Sequence, residues 1–501
     1  MTLLLLLALP LAGSVLVTAL PPRRAVATGI VVTVLTLAVA VVAAARFDYH
    51  DAGRMQHGVD ESWIPAIDVR LHLGVDGISL PLVVLTALLT ALCAIYLAAA
   101  YRGGRGGPEL ARPRAFVSLV LLLEVGMLGT FVALDLLVFF VFFELVLIPM
   151  YAVIAGWGGP GRRAAANQFI LYTLLGSGVL LVGLLLIYGH TGTLDMVALA
   201  DRAGDGLSHT VQVVAFLLVT GGLAVKVPMW PLHTWLPDAH TEAPTVGSVL
   251  LAGVLLKMGT YGIVRIAVPA LPSGAATWAP WLGALGVVGI VYAALACLAQ
   301  RNLKRLVAFS SVGHMGFVLL GIATLTPVGI NAALFANIAH GLITGLLFFL
   351  VGGVAQRYGS TDLDTIGGGM LAGAPHLGSL LVLASVASLG LPGLAGFWGE
   401  MLAMLSAYQP AAHLDREPFL VFMTVAGLGA VLTAGYFLVM IRRVAHGVVP
   451  DRWRGVVVAD ASWRELVAWA PLVLLMFVAG LWPRVLLGVT DPAVRLLLGG
   501  G

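Results

Sequence analysis

Apolar residues fill this chain in long runs separated by short polar stretches. Many of the runs reach about 20 residues, the length a helix needs to cross the hydrocarbon core of a bilayer. The short, strictly alternating segments of a membrane β-barrel are not seen. The pattern predicts an all-α polytopic membrane protein with about fourteen transmembrane helices. They fall at about 1–20, 25–45, 77–101, 115–133, 134–156, 165–189, 211–238, 242–267, 279–300, 304–324, 328–354, 376–408, 417–441 and 465–488. The fourth and fifth are nearly continuous in sequence. One connection is long, 46–76, and its Asp48, Asp51, Asp60, Glu61, Asp68 and Asp76 predict a small cap on one face.

Two helices are interrupted by prolines close to ionisable residues. Pro228 and Pro231 interrupt the seventh within KVPMWPLHTWLPDAH (226–240), and Pro392 interrupts the twelfth within LGLPGLAGFWGE (389–400). Proline removes a backbone donor. The freed groups are tolerated at membrane depth mainly where they face protein or water. A pair of broken helices in corresponding places points to a transport site built from repeats. The chain 1–501 reads as one integral membrane domain: helices 1–3 over 1–101, a first block of five over 115–267, a second over 279–441, and helix 14 over 465–488. Each break occupies fourth place in its block. Identity between the blocks is too weak to prove the repeat from residues alone.

Composition narrows the class. The 501 residues are 60% hydrophobic and 10% charged, against about 25% charged in soluble domains. No nucleotide-binding βαβ unit or nucleic-acid-binding stretch accompanies the helices. GGRGG (103–107) reads as a loop between spans, without the strand-to-helix context of a phosphate-binding loop. With the N-terminus outside, seventeen of the 27 Lys and Arg fall at cytoplasmic ends or loops, eight fall outside and two lie within spans. That bias follows the positive-inside rule and puts both termini outside. The first apolar run lacks a basic flank ahead of it and reads as a retained helix rather than a cleaved signal. Cys93 and Cys297 read as small buried hydrophobes, and no C-x-x-C supplies ligands for an iron–sulfur cluster or zinc.

The chemistry lies in charges at membrane depth. Two of only three lysines, Lys226 and Lys257, sit in predicted spans, as do Glu144, His314, His340 and Glu400. A lysine near the bilayer midplane costs roughly 2.5–3.5 kcal/mol on insertion scales, and such residues usually mark ion or proton paths. Buried lysines exchange protons nearer neutral pH, and an opposing carboxylate reverses that tendency. Histidine titrates near neutrality unaided. Six such groups in six helices predict a proton relay. Glu124 and Asp135 remain open between relay and structural roles. Glu242 reads as a cap on the eighth helix and Arg265 as a side chain reaching out from a helix end. His233 and His240, seven apart, lack the partners of a metal site.

These residues carry a family resemblance. The segment KVPMWPLHTWLPDAHTEAPTVGSVLLAGVLLKMGTYG (226–262) resembles the signature of the proton-translocating, antiporter-like subunits of respiratory complex I and their Mrp-antiporter relatives. FFELVLIPMY (142–151), RNLKRLVAFSSVGHMGF (301–317) and NIAHGLITGLLFFLVG (337–352) extend it over essentially the whole chain. Glu400, where L-type, N-type and Mrp relatives carry lysine, and the absence of a lateral extension after helix 14, resemble the M-type branch. The resemblance implies two inverted five-helix repeats with broken helices 7 and 12. It implies that Glu144 partners Lys226, that Lys257, His314 and His340 form a central relay, and that Glu400 passes protons onward. It further implies a place in a bacterial cell membrane, among lipids, beside L-type and N-type subunits. No cofactor is implied in this chain; FMN, iron–sulfur clusters and quinone belong to partner subunits. Three alternatives stay open: an Mrp-type Na+/H+ antiporter subunit, a subunit of a membrane-bound hydrogenase, and a structural anchor.

Overall fold

A computed structural model describes residues 1–102 and 111–499, so the GGRGG segment lies outside the described residues. Thirteen of its helices are long and apolar enough to cross a membrane. The predicted twelfth helix is divided into Pro375–Ser388 and Ala395–Tyr408, each too short alone, and completes a set of fourteen crossings. The seventh stops at Lys226 and resumes as the short helix Trp235–Glu242, so both proline-bearing segments break where the backbone loses its donors.

Burial sorts the spans. The eighth (Thr245–Ala270), tenth (Leu303–Ala323) and eleventh (Pro327–Tyr358) are buried along almost their whole length, whereas the first (Thr2–Ala19) and second (Pro22–Ala45) face outward for most of theirs. The three central helices therefore surround charges removed from lipid on every side. The eighth is not a regular α-helix. Two π-helical turns, Leu251–Leu255 and Ile263–Ala267, flank Lys257, and such turns are frequently found at functional sites.

Several expectations are corrected. The 46–76 connection contains a β-hairpin, Gln56–Ile64 paired antiparallel with Val69–Val75, with Val59 opposite Leu73 and Glu61 opposite Leu71. Alternation in VRLHLGV puts one side of the strand against the helices, and a bridge from Leu73 to Ala133 joins it to the link between the fourth and fifth spans. The first helix and the terminal helix each pack near the hairpin. That terminal helix, Arg484–Leu497, is separate from the fourteenth span, which ends at Leu481 before Pro483. Glu242 does not cap the eighth span; its carboxylate accepts from the Gly161 amide, and its carbonyl from the Gly159 amide. Arg265 does not reach for solvent. It is buried, and its Nη2 donates to Asp76 Oδ1 at 2.5 Å.

Two backbone bridges recur at the same sequence spacing. Asp135 pairs with Asp195 and Asn302 pairs with Asp362, and all four side chains cap the helix that follows them. Asp135, left open between two roles, is therefore a cap that accepts from the Leu137, Val138 and Arg70 amides.

Candidate functional site: a row of buried ionisable side chains

The row begins on the fifth span, Leu136–Trp157, whose helical geometry slips at Val146. Glu144 there accepts a hydrogen bond from Ser177 of the sixth span. It does not touch Lys226. The Lys226 ammonium instead donates to the Phe143 carbonyl at 2.8 Å and lies 3.3 Å from the centre of the Phe143 ring. Both contacts favour a cation. Lys226 is the last residue of its helix, where carbonyls lack intrahelical donors and the dipole end is negative. Glu144 lies within electrostatic reach of it, one residue beyond the carbonyl that holds it.

Gly259 brings the next helix alongside. A side chain on Gly259 would stand 2.7 Å from Val227 Cγ2 and 3.0 Å from the Leu223 carbonyl oxygen, so only glycine allows the eighth span this close to the end of the seventh. Lys257, two residues earlier, is completely buried. Its Nζ meets the Ala252 carbonyl of the first π turn at 2.5 Å and His340 Nδ1 at 2.5 Å. Thr344, one turn beyond His340, places its hydroxyl 3.3 Å from the same ring nitrogen.

From His340 the row passes to His314, ring centres 5.6 Å apart. Between them lies a cavity of about 20 Å³, lined also by Thr344, Ser388 and Glu400. That volume admits about one water molecule. His314 is held at both nitrogens, Nδ1 at 3.0 Å from Glu400 Oε1 and Nε2 at 2.9 Å from Ser388 Oγ. Ser388 ends the first half of the broken twelfth span, and Glu400 lies in the second half. Gly390, between them at φ +81°, leaves the space that Glu400 occupies; a side chain there would come within 3.0 Å of Oε2. The break thus serves the site directly.

All six predicted residues are placed in this row. Lys257, His340, His314 and Glu400 form one connected group, while Glu144 and Lys226 form a second without mutual contact. The sequence reading missed the hydroxyls of Ser177, Thr344 and Ser388, which alternate with the charges and which no pattern distinguishes from ordinary helix-packing serines. It also undervalued His240. This histidine is fully buried, stacks on Phe348 at 4.6 Å, and has neither ring nitrogen hydrogen-bonded among the described residues. It lies within electrostatic reach of Lys257 and Lys304. Both Glu124 carboxylate oxygens are likewise buried and unpartnered. Among the described residues no group of three or more His, Cys, Asp or Glu is arranged to hold a metal ion.

The arrangement suits one kind of chemistry. Each member can hold or release a proton, all but the partly exposed Glu144 and His314 are buried, and the hydroxyls and one-water cavity fill gaps between them.

Residues 133–432 match the family described as the NADH:quinone oxidoreductase/Mrp antiporter transmembrane family. A protein of Rhodobacter capsulatus named NADH-quinone oxidoreductase subunit M is 38% identical over 487 residues, covering 95% of this chain and 91% of its own. A chain of respiratory complex I from Thermus thermophilus, solved with bound NADH, superposes with a TM-score of 0.86 at 29% identity, covering 100% of both chains. A chain of an archaeal membrane-bound sulfane sulfur reductase superposes with a TM-score of 0.85 at 26% identity, covering 99% of both. With more than half its length matched to the family and a long relative above 30% identity, the chain belongs to the NADH:quinone oxidoreductase/Mrp antiporter transmembrane family.

Proposed function

We propose that this chain is a proton-translocating membrane-arm subunit of a redox-driven NADH–quinone oxidoreductase, without a redox centre of its own. The observation that carries the reading is the contiguous group Lys257–His340–His314–Glu400, three of whose members lie on spans buried along almost their whole length. Similarity to subunit M of the Rhodobacter enzyme and to the Thermus complex I chain supports the choice of enzyme. Electrons would pass from NADH through flavin and iron–sulfur clusters to quinone in partner subunits, L-type and N-type antiporter-like chains among its neighbours. Their energy would arrive here as shifts among the buried charges. Driving one charge against 100 mV requires about 2.3 kcal/mol. Two unit charges 4 Å apart at an effective dielectric of 20 interact by about 4 kcal/mol, so rearranging one pair suffices.

The chain would lie in a bacterial cell membrane with both termini and the hairpin outside. The paired bridges at Asp135/Asp195 and Asn302/Asp362, with a broken helix in each half, support 115–267 and 279–441 as two inverted copies of one unit.

Purification under native conditions tests the reading. Copurifying flavin, iron–sulfur signals and NADH-driven quinone reduction are expected. A complex without redox centres that exchanges Na+ for H+ would replace it with the Mrp-type antiporter reading, and a copurifying hydrogenase or sulfur reductase would move the chain to a related complex.

A further inference from the structure

The hairpin end of the molecule holds a cavity of about 400 Å³ that the relay does not use. Arg54 and Asp201 stand exposed at its mouth, His72 lines its side, and Leu496 and Ala493 of the terminal helix roof it. Its floor is the buried pair Arg265–Asp76, with side chains only 4% and 2% exposed. Asp76 Oδ1 is also held by the Ile78 and Ser79 amides at 3.0 Å each, at the start of the third span.

Arg265 connects this cavity to the row. It sits in the second π turn of the eighth span, eight residues after Lys257, which is about 12 Å along the axis. The interval is polar on this side. Tyr261 Oη stands 3.3 Å from Arg265 Nε and donates to the Phe131 carbonyl. Thr260 donates to the Lys257 carbonyl and accepts from Asn337, whose Oδ1 is buried and unpartnered among the described residues. The roof is tied to the row as well. Thr490 donates to Asn331 and Asn331 donates to Asp491, fastening the terminal helix to the eleventh span that carries His340.

We propose that this cavity is the vestibule of a second outward proton path, leading from Lys257 and gated by the Arg265–Asp76 ion pair. The inference rests on the proton-pump reading and its orientation. While paired, Asp76 Oδ1 is taken up by Arg265 and by the Ile78 and Ser79 amides, and the way from the row is closed. Guanidinium does not give up a proton. When the pair opens, the Lys257 ammonium releases a proton through water entering beside Thr260 and Tyr261. Asp76 accepts it as a carboxylic acid and then gives it to vestibule water. Lysine is left neutral, Asp76 is restored as an anion, and re-pairing closes the path. While Asp76 is neutral the Arg265 guanidinium keeps its charge and is solvated by the entering vestibule water, until Asp76 gives the proton up and the pair re-forms.

Ala200 lines the vestibule without belonging to the gate. In right-side-out vesicles holding the whole complex, Ala200→Cys should react from outside with a cationic, impermeant thiosulfonate. Both native cysteines of this chain are buried. Labelling should cut pumping relative to the same vesicles unlabelled, and a reducing agent should restore it. Ser62→Cys, on the exposed face of the hairpin, is the comparison and should be labelled without loss. Asp76→Asn should lower pumping in complex that assembles fully. Failure to label Ala200→Cys, which would show a neighbouring subunit seated there, overturns the proposal. So does full labelling with undiminished pumping. Glu400→Gln separates the two readings. If it abolishes pumping while labelled Ala200→Cys pumps normally, only the vestibule falls; if it too pumps normally, the relay and the vestibule fall together.

Discussion

Lys257 Nζ and His340 Nδ1 lie 2.5 Å apart in a region without exposed surface, close enough for one nitrogen to donate to the other. Two positive charges at that separation would repel by about 7 kcal/mol even at an effective dielectric of 20. Loading one member therefore empties the other, which is the step a relay requires.

His340→Gln separates relay from packing. The amide oxygen can still accept from Lys257, so assembly should be near normal, but an amide does not carry a proton onward. Pumping should fall below that of the unsubstituted complex at equal NADH oxidation, as read by NADH-driven quenching of a pH-sensitive dye in vesicles with matched amounts of complex.

Ser388→Ala leaves His314 Nε2 without its partner while keeping the Glu400 bond. A lost hydrogen bond to a buried group costs about 1–3 kcal/mol. Pumping should decline partially. Combined with Glu400→Gln, the second change should add nothing, because both act on one histidine.

Asp460 holds the start of the twelfth span from the connecting segment. Burial works to raise its carboxyl, but the amides of His376, Leu377 and Ala461 and the His376 ring bring it down to about 2. A lowered value means that its contribution is present above the ordinary aspartate pKa and is lost as pH falls toward 2. Asp460→Ala should loosen residues 375–381 by about 0.5–2 kcal/mol, unchanged between pH 5 and 8. Amide exchange over that segment measures it.

The hairpin should respond to pH in the opposite sense. The hydrogen bond that His72 Nδ1 donates to Asp195 Oδ2 at 2.7 Å raises the imidazole above its usual pKa, against burial. Burial raises the Asp195 carboxyl, but hydrogen bonds from His72 and the Ala198 amide outweigh it and leave it lowered. Asp60 and Arg70 of the hairpin, and Asp135 beside Asp195, complete the surrounding charges. The His72 contribution is full below about 6.5, the ordinary histidine value, and is lost as pH rises through the raised one. Protection of amides 56–75 should fall above neutrality, and His72→Gln should flatten that dependence.

Much of this architecture is legible in sequence because a bilayer leaves few alternatives. Apolar run lengths locate the spans, the prolines at 228, 231 and 392 locate the breaks, and charge at depth singles out Glu144, Lys226, Lys257, His314, His340 and Glu400. Other features depend on distant partners. Arg265 looks like a residue at a helix end until Asp76, brought up by the hairpin, meets it in the interior. Ser177, Thr344 and Ser388 resemble any packing hydroxyl until the fold turns them toward the row. The π turns around Lys257 have no residue signature, since they arise from how the eighth span fits among its neighbours. The hairpin was readable in the alternation of VRLHLGV, but a seven-residue pattern is faint beside runs three times as long.

The proton-to-electron ratio of the whole complex carrying Glu400→Gln tests the central claim most directly. The substitution keeps the shape of the side chain and removes its capacity to exchange a proton with His314. The account predicts an assembled complex that moves fewer protons per NADH oxidised. An unchanged ratio at full assembly would contradict it, and the buried row would then be part of the scaffold and not the path.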